Sequence, residues 1–342
     1  MVAAKRESAI STKSRYYFTR LNTAEQEIYK QIHMGWSDLK TVVSINLTSG
    51  NGSPRVAKIM EYIALDNPGL FFIDFGKIQF RLYDNQLTVE VKFHYDKGQI
   101  VECEAKLRQE INKIMAKYSI LGLSEYERVV SLHDCLVKNV EYEYSSHSET
   151  SHSVLGGLLK RKTVCEGFAK TFKLLCDWAN IKCIVVSGTA TPKGSASENH
   201  AWNIVKLGGD CYHVDVTWDS CAFEKTDMLS HAHLNLTDSD IAQDHKWKRN
   251  LLPQCSRDNL NYFAASKTLF ATEEDFKEYF ENGLKSGQKS FEVRFKDKPK
   301  DQDELADSIR RIMQNRLLSM FLGYSYRLQY NAKRGTAYIY IN

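Results

Sequence analysis

Three short stretches place a cysteine, a histidine and an aspartate in that chain order. They are Thr163-Val-Cys-Glu-Gly-Phe-Ala169, Asn199-His-Ala-Trp-Asn203 and His213-Val-Asp-Val-Thr-Trp-Asp219. A thiol, an imidazole and a carboxylate can act as nucleophile, base and orienter in covalent acyl transfer. The candidates are Cys165, His200 and Asp215. A lone cysteine is ordinarily a small core residue, and a lone histidine on a strand is ordinarily structural. The case therefore rests on whether the local elements can bring all three together.

The periodicity of Phe168, Phe172, Leu175, Cys176 and Ala179 predicts a helix from Glu166 to Ala179 with one buried stripe. Cys165 then stands at the helix start, where unpaired N–H groups and the positive dipole end favour a thiolate. The Cys165 N–H is a candidate oxyanion donor. Gly167 carries no side chain, so a substrate backbone is expected to approach there. Ile181 to Thr189 is rich in β-branched residues and predicts a strand. His200–Leu207 and Asp210–Trp218 predict a hairpin around Gly208-Gly209, a pair suited to the positive φ angles of a tight turn. If Leu207 faces Asp210, then Trp202 faces Asp215 and His200 faces Thr217. His200 and Asp215 become diagonal neighbours on one face, with Cα atoms roughly 7–8 Å apart. A slip of one residue would part them.

Val-Cys-Glu-Gly-Phe-Ala, His-Ala-Trp-Asn and Val-Asp-Val-Thr-Trp-Asp together resemble the three core motifs of the transglutaminase-like superfamily. The resemblance runs from about Ser124 to Trp218, and the chain is most similar to bacterial members of unassigned substrate. It implies a papain-like α+β core in which the triad falls on Cys165, His200 and Asp215. It also implies that Tyr142 sits near the cleft, either lining the oxyanion site or simply packing. Trp202 and Trp218 either wall the cleft or are core aromatics. Thr163 departs from the family pattern, where a small residue such as glycine is expected.

The chain has 342 residues, 43% hydrophobic and 26% charged, with a net charge of +4. This length predicts a globular protein of two or three units rather than one compact domain, and the resemblance implies that its core is α+β. No dense basic run appears, so nucleic acid is not indicated. No stretch of 18 apolar residues predicts a membrane span. The first eight residues show no secretory pattern, which makes the cytoplasm the default unless a signal was trimmed. The eight cysteines form no Cys-x-x-Cys pair, against zinc-ribbon and thioredoxin readings. His147 and His152 lack further ligands at metal-site spacing, so neither metal nor cofactor is expected.

The division expected is an N-terminal α+β accessory domain over 1–121, a catalytic core over 122–268 and a small C-terminal α+β module over 269–342. The first contains a helix opened by a capping box at Thr23–Gln26, strands over 71–82 and 87–95, and a helix over 102–118. The core opens with a second capping box at Ser124–Glu127. Thr191–Glu198 is a candidate lid. Residues 219–265 read as irregular, and His245-Lys-Trp247 carries no assigned chemistry. The tail reads as βαββ, with its helix over 303–318 and its first hairpin strand over 324–330. Two functions remain: thiol-dependent acyl transfer on peptide or protein amides, or a peptide- or protein-binding scaffold that keeps the cleft without the chemistry.

Overall fold

Capping chemistry begins several helices of a computed structural model that describes residues 15–47, 55–145, 148–192, 194–313 and 325–342. Helix α1 (Thr23–Ser37) is capped by Asn22 and Glu25 in a reciprocal box, one residue earlier than Thr23–Gln26 predicted. The asparagine amide reaches the third N–H, so it outcompetes the neighbouring threonine. Strand β1 (Val42–Asn46), α2 (Val56–Asp66), β2 (Gln79–Tyr83) and β3 (Gln86–Glu90) follow. They form an antiparallel sheet in the order β1-β3-β2. The strands expected over 71–82 and 87–95 are shorter, because Phe71 and Phe72 turn inward and are buried while Ile73 only bridges to Phe93. Helix α3 (Lys97–Lys117) starts before Glu102, on an Asp96–Gln99 capping box that sequence reading passed over. The end of the expected 303–318 helix lies outside the described residues.

The Ser124–Glu127 box opens α4 (Glu125–Asn139) as predicted. Strands β4 (Glu141–Tyr142) and β5 (Lys162–Thr163) form a short parallel pair and lead into α5 (Cys165–Trp178). Then come β6 (Lys182–Ala190), β7 (Glu198–Leu207) and β8 (Asp210–Val214). Leu207 pairs with Asp210, the expected register, and Gly208 and Gly209 take φ values of +57° and +100°. The strand expected to run to Trp218 instead stops at Val214. Asp215 caps the next helix with its own carboxylate, so the chain leaves the sheet before Thr217 can face His200.

Residues 219–265 are ordered rather than irregular. They contain the rest of α6 (Val216–Thr226), then β9 (Leu234–Leu236), α7 (Asp238–Ile241), β10 (His245–Trp247) and α8 (Tyr262–Ala265). The two strands are too short to show a period, yet they complete an antiparallel sheet ordered β10-β6-β7-β8-β9. Tail elements are β11 (Leu269–Phe270), α9 (Glu273–Lys285), β12 (Ser290–Phe295), α10 (Gln302–Met313), β13 (Tyr326–Asn331) and β14 (Thr336–Ile341). Their sheet runs β11-β12-β14-β13.

One hydrophobic core is continuous from Tyr17 to Cys255, and the tail has its own from Phe270 to Ile341. Polar ties join the two. Arg294 pairs with Asp240, and Glu292 accepts from the His231 backbone N–H at 2.7 Å.

Gly188 lies in β6 between β7 and β10, opposite His200 and Trp247. A Cβ there would stand 2.2 Å from the Lys246 carbonyl oxygen and 2.7 Å from the Trp202 ring. Gly188→Ala removes chain freedom from the unfolded state, worth about 0.5–1 kcal/mol. The clash with backbone costs more, about 1–3 kcal/mol. Urea denaturation is therefore expected to show a net loss of stability; a variant as stable as the parent would contradict this packing.

Candidate functional site

Helix α5 starts at Cys165 because Val164 is held extended outside it, with its N–H on the Ser151 carbonyl at 3.1 Å. Val164 offers no capping side chain to the first-turn N–H groups. Thr163, the residue that departs from the family pattern, is buried and donates its hydroxyl to the same Ser151 carbonyl at 2.6 Å. The loop is thereby pinned from a side that glycine could not use. Gly167 packs against it: a Cβ at 167 would lie 1.8 Å from Thr163 Oγ1. Its missing side chain admits this threonine rather than an open substrate approach.

His200 is buried on β7, and its Nε2 lies 2.8 Å from Asp215 Oδ2. Cys165 lies close enough to the same ring to raise the affinity of His200 for its proton. With Nε2 committed to the carboxylate, Nδ1 is the nitrogen left for sulfur. Asn203 ties the supporting elements together. Its buried Nδ2 donates to the Ala169 carbonyl of α5 at 3.0 Å and to the Ile184 carbonyl of β6 at 3.3 Å. The cysteine's helix and the histidine's sheet are thus joined one turn from the sulfur.

Asp215 is fully buried and fully paired. Oδ1 accepts from the Thr217 and Trp218 backbone N–H groups at 3.0 and 3.3 Å. Oδ2 accepts from His200 and from His245 Nε2, the latter at 3.0 Å. Burial alone would raise this carboxyl; the two imidazoles outweigh it and hold it well below the usual range. Burial works against the His200 cation, but Asp215 and Cys165 prevail and push it up to about 10.

The remaining predicted cleft residues divide. Tyr142 is half-buried, paired beside Thr163 on the short β4–β5 ladder. Burial, then the nearby Cys165 and Cys221, push its phenol up. Trp218 is also half-buried, with its ring 6.0 Å from His200 and 4.6 Å from His245. Trp202 is a core residue: it is buried beneath His200, nearly parallel at 5.9 Å, and donates Nε1–H to His213 Nδ1 at 3.0 Å.

Sequence reading missed three groups behind the site. His245 Nδ1 lies 2.7 Å from Asp244 Oδ1, and Asp244 receives Arg334 Nη2 at 2.5 Å. No local pattern marks them, because they come from a three-residue strand and a distant hairpin. Among the described residues, three side-chain groupings have ligand-type atoms close enough to hold an ion. In His200–Asp215–His245 both carboxylate oxygens are already taken by N–H donors. In His213–Asp238–Cys255 the Trp202 indole donates to His213 Nδ1, which sends the ring hydrogen to Nε2 facing Asp238. His147 lies outside the described residues, and His152 pairs with Glu166 at 3.0 Å.

The third grouping, His133–Asp134–His231, links the core to the tail. His231 bridges Asp134 at 2.9 Å and Glu292 of β12 at 2.6 Å, and stacks on Tyr262 at 3.7 Å. His133 bridges Asp134 and Asp219, and Asp219 also holds His233. Burial disfavours the His231 cation, but Glu292 and Asp134 raise it to about 10.

Residues 115–216 match the sequence profile of the transglutaminase-like superfamily. Kyphoscoliosis peptidase of Mus musculus is 26% identical over 133 residues, 36% of this chain and 20% of that protein. Its Homo sapiens counterpart is 25% identical over 136 residues, 37% of this chain and 21% of that protein. The similarity thus spans about a fifth of the length of these relatives. A solved structure of a TGase shares 12% identity, covering 41% of this chain and 44% of that one, with a TM-score of 0.30. The architecture is α+β, as expected. Among the described residues no helix is long and apolar enough to cross a membrane.

The His231 cluster has a pH consequence. A histidine raised from 6.5 to about 10 stabilises the fold fully below pH about 6.5, and this contribution is lost as pH rises towards 10. Denaturant midpoints should therefore fall across that window, with His231 supplying about 5 kcal/mol of the decline at most. In His231→Gln the fall should be shallower, leaving the shares owed to His200 and His133. Equal slopes in parent and variant would remove His231 from the account.

Proposed function

We propose that this chain is a thiol-dependent acyl-transfer enzyme acting on peptide or protein amides. In this reading Cys165 is the nucleophile, His200 the general acid and base, and Asp215 its orienter. The observation that carries it is one imidazole, bonded to a buried carboxylate on Nε2, that also meets the thiol at the start of α5.

Cys165 gives its S–H proton to His200, and its sulfur attacks the amide carbonyl, whose π electrons move to oxygen. First-turn N–H groups of α5, uncapped by Val164, suit the developing oxyanion. The C–N bond then breaks as His200 delivers its proton to the leaving amine or ammonia, and a thioester remains. An incoming amine or water attacks that thioester, giving its proton back to His200 while sulfur departs. Amine yields transamidation; water yields peptide cleavage or deamidation. Tyr142 and Trp218, both half-buried, flank the reacting pair. Trp202 supports His200 from below, and Gly167 supports the cysteine loop.

The same reading assigns the accessory roles by division of the chain: residues 1–121 and 269–342 brace the core over 122–268. Thr191–Glu198, directly before the histidine strand, would control entry.

Cys165→Ala is expected to abolish activity with the circular dichroism spectrum and melting temperature preserved. The assay is a casein-type protein incubated with a labelled primary amine, scored for incorporation and for cleavage. Activity retained in a folded Cys165→Ala variant would end the proposal. Inertness of the parent in both scores, together with a Cys165 that iodoacetamide alkylates no faster than an ordinary thiol, would favour a binding scaffold.

A further inference from the structure

Asp215 is shared. Its Oδ2 faces His200 Nε2 at 2.8 Å and His245 Nε2 at 3.0 Å, and those two rings have centroids 5.3 Å apart. Behind His245 the polar chain continues to Asp244 and ends at Arg334. Every member from His200 to Arg334 is buried, and Arg334 has no exposed surface at all.

Arg334 is placed by construction. It sits in the turn between β13 and β14, where Gly335 takes a φ of +67° and Asn331 accepts the Arg334 N–H at 3.2 Å. Arg294 holds the Arg334 carbonyl at 3.2 Å from β12. The tail therefore presents one guanidinium to the rear of the core, where it also reaches the Asp240 carbonyl.

We infer that His245, fixed by Asp244 and by Arg334 of the tail, is a positioning residue that limits how firmly His200 holds its proton. The inference rests on the reading of Cys165 and His200 as a nucleophile–base pair. Ionised carboxylates only accept hydrogen bonds. Both ring nitrogens of His245 face carboxylate oxygens, so the ring donates on both sides and carries positive charge between Asp215 and Asp244. That charge offsets part of the field with which Asp215 holds the His200 cation, and it also repels that cation directly. A base gripped by an undivided buried carboxylate would release its proton to a leaving amine too reluctantly. The second imidazole tempers that grip.

The surrounding charges are consistent with this balance. His200 meets Cys165 and Asp215, and the charge of Asp215 adds to burial in pushing up the Cys221 thiol of α6. From β8, His213 is held down first by burial and also by the charge of His245. Asp244 is lowered against burial by His245, Arg334 and His233. Arg334 in turn faces Asp240, Arg294 and Asp219.

Iodoacetate tests this on the full chain without a known substrate. As a negatively charged reagent it alkylates a thiolate beside an imidazolium, so the alkaline limb of the Cys165 rate reads the His200 proton. Cys165 labelling is followed by peptide mass spectrometry. His245→Gln is expected to move that limb up by about one pH unit. Arg334→Gln should move it the same way by less, and Arg334→Lys should hold it at the parental position. A purely structural role would lower the melting temperature without moving the limb. An unmoved or lowered limb in folded His245→Gln overturns the inference. If the variants do not fold, imidazole spectra of the 15N-histidine-labelled parent decide it. Two ring N–H protons on His245 at neutral pH are expected, and one alone overturns it. A parent whose Cys165 reacts no faster than a free thiol sinks the nucleophile reading instead, and leaves the proton count on His245 to stand by itself.

Discussion

A single buried carboxylate organises the centre of this molecule. Asp215 ends a strand, caps a helix and receives two imidazoles, and four donors satisfy its two oxygens. Left unpaired at zero exposure, such a charge would be strongly destabilising. The surrounding elements are therefore bound to supply those donors together. Strand β7 brings His200, β10 brings His245, and the first turn of α6 brings its own N–H groups. The helix dipole of α6 adds a favourable field at the same point.

That requirement links two chains of buried acids and bases. Asp244 and Arg334 extend the pairing outward from His245, while Asp219, His133 and His233 form a parallel set one turn along α6. His231 joins this second set to Glu292 of the tail. Each set alternates acid and base, which keeps buried charge compensated across the seam between two hydrophobic cores. The tail thus meets the core through ion pairs rather than through a shared apolar face. Such pairs fix geometry more than they add stability. This fits a module whose arginine must arrive at one spot.

Packing gives the site its rigidity. Trp202 lies under His200 and over Gly188, and its indole N–H is spent on His213. Asn203 holds α5 to β6. Neither side chain touches a reacting atom, yet both sit in the same short motif as His200. The motif Asn199–Asn203 is therefore a structural unit as much as a chemical one.

Much of this was legible from residue order alone. The stripe from Phe168 to Ala179 defines a helix because its period is local. The Gly208-Gly209 turn sets the β7–β8 register because few residues tolerate its backbone angles. Those two facts lead the sequence to expect His200 and Asp215 on one face as strand neighbours, whereas Asp215 meets His200 as the cap of a helix. Among the capping boxes, that at Ser124 was readable outright and that at Asn22 to within a residue, while those at Asp96 and Thr237 were passed over. Tertiary structure decided the rest, for reasons no window of sequence contains. Asp215 leaves the strand because its carboxylate finds helix N–H groups ahead and imidazoles beside it. Strands β9 and β10 exist only because a sheet edge is there to pair with, three residues being too few for a period of their own. Gly167 is small for the sake of Thr163. The approach of Arg334 to Asp244 crosses 90 residues and two cores. Contacts of that span are set by how finished units dock, and a chain read in order does not reveal which of its buried charges will meet.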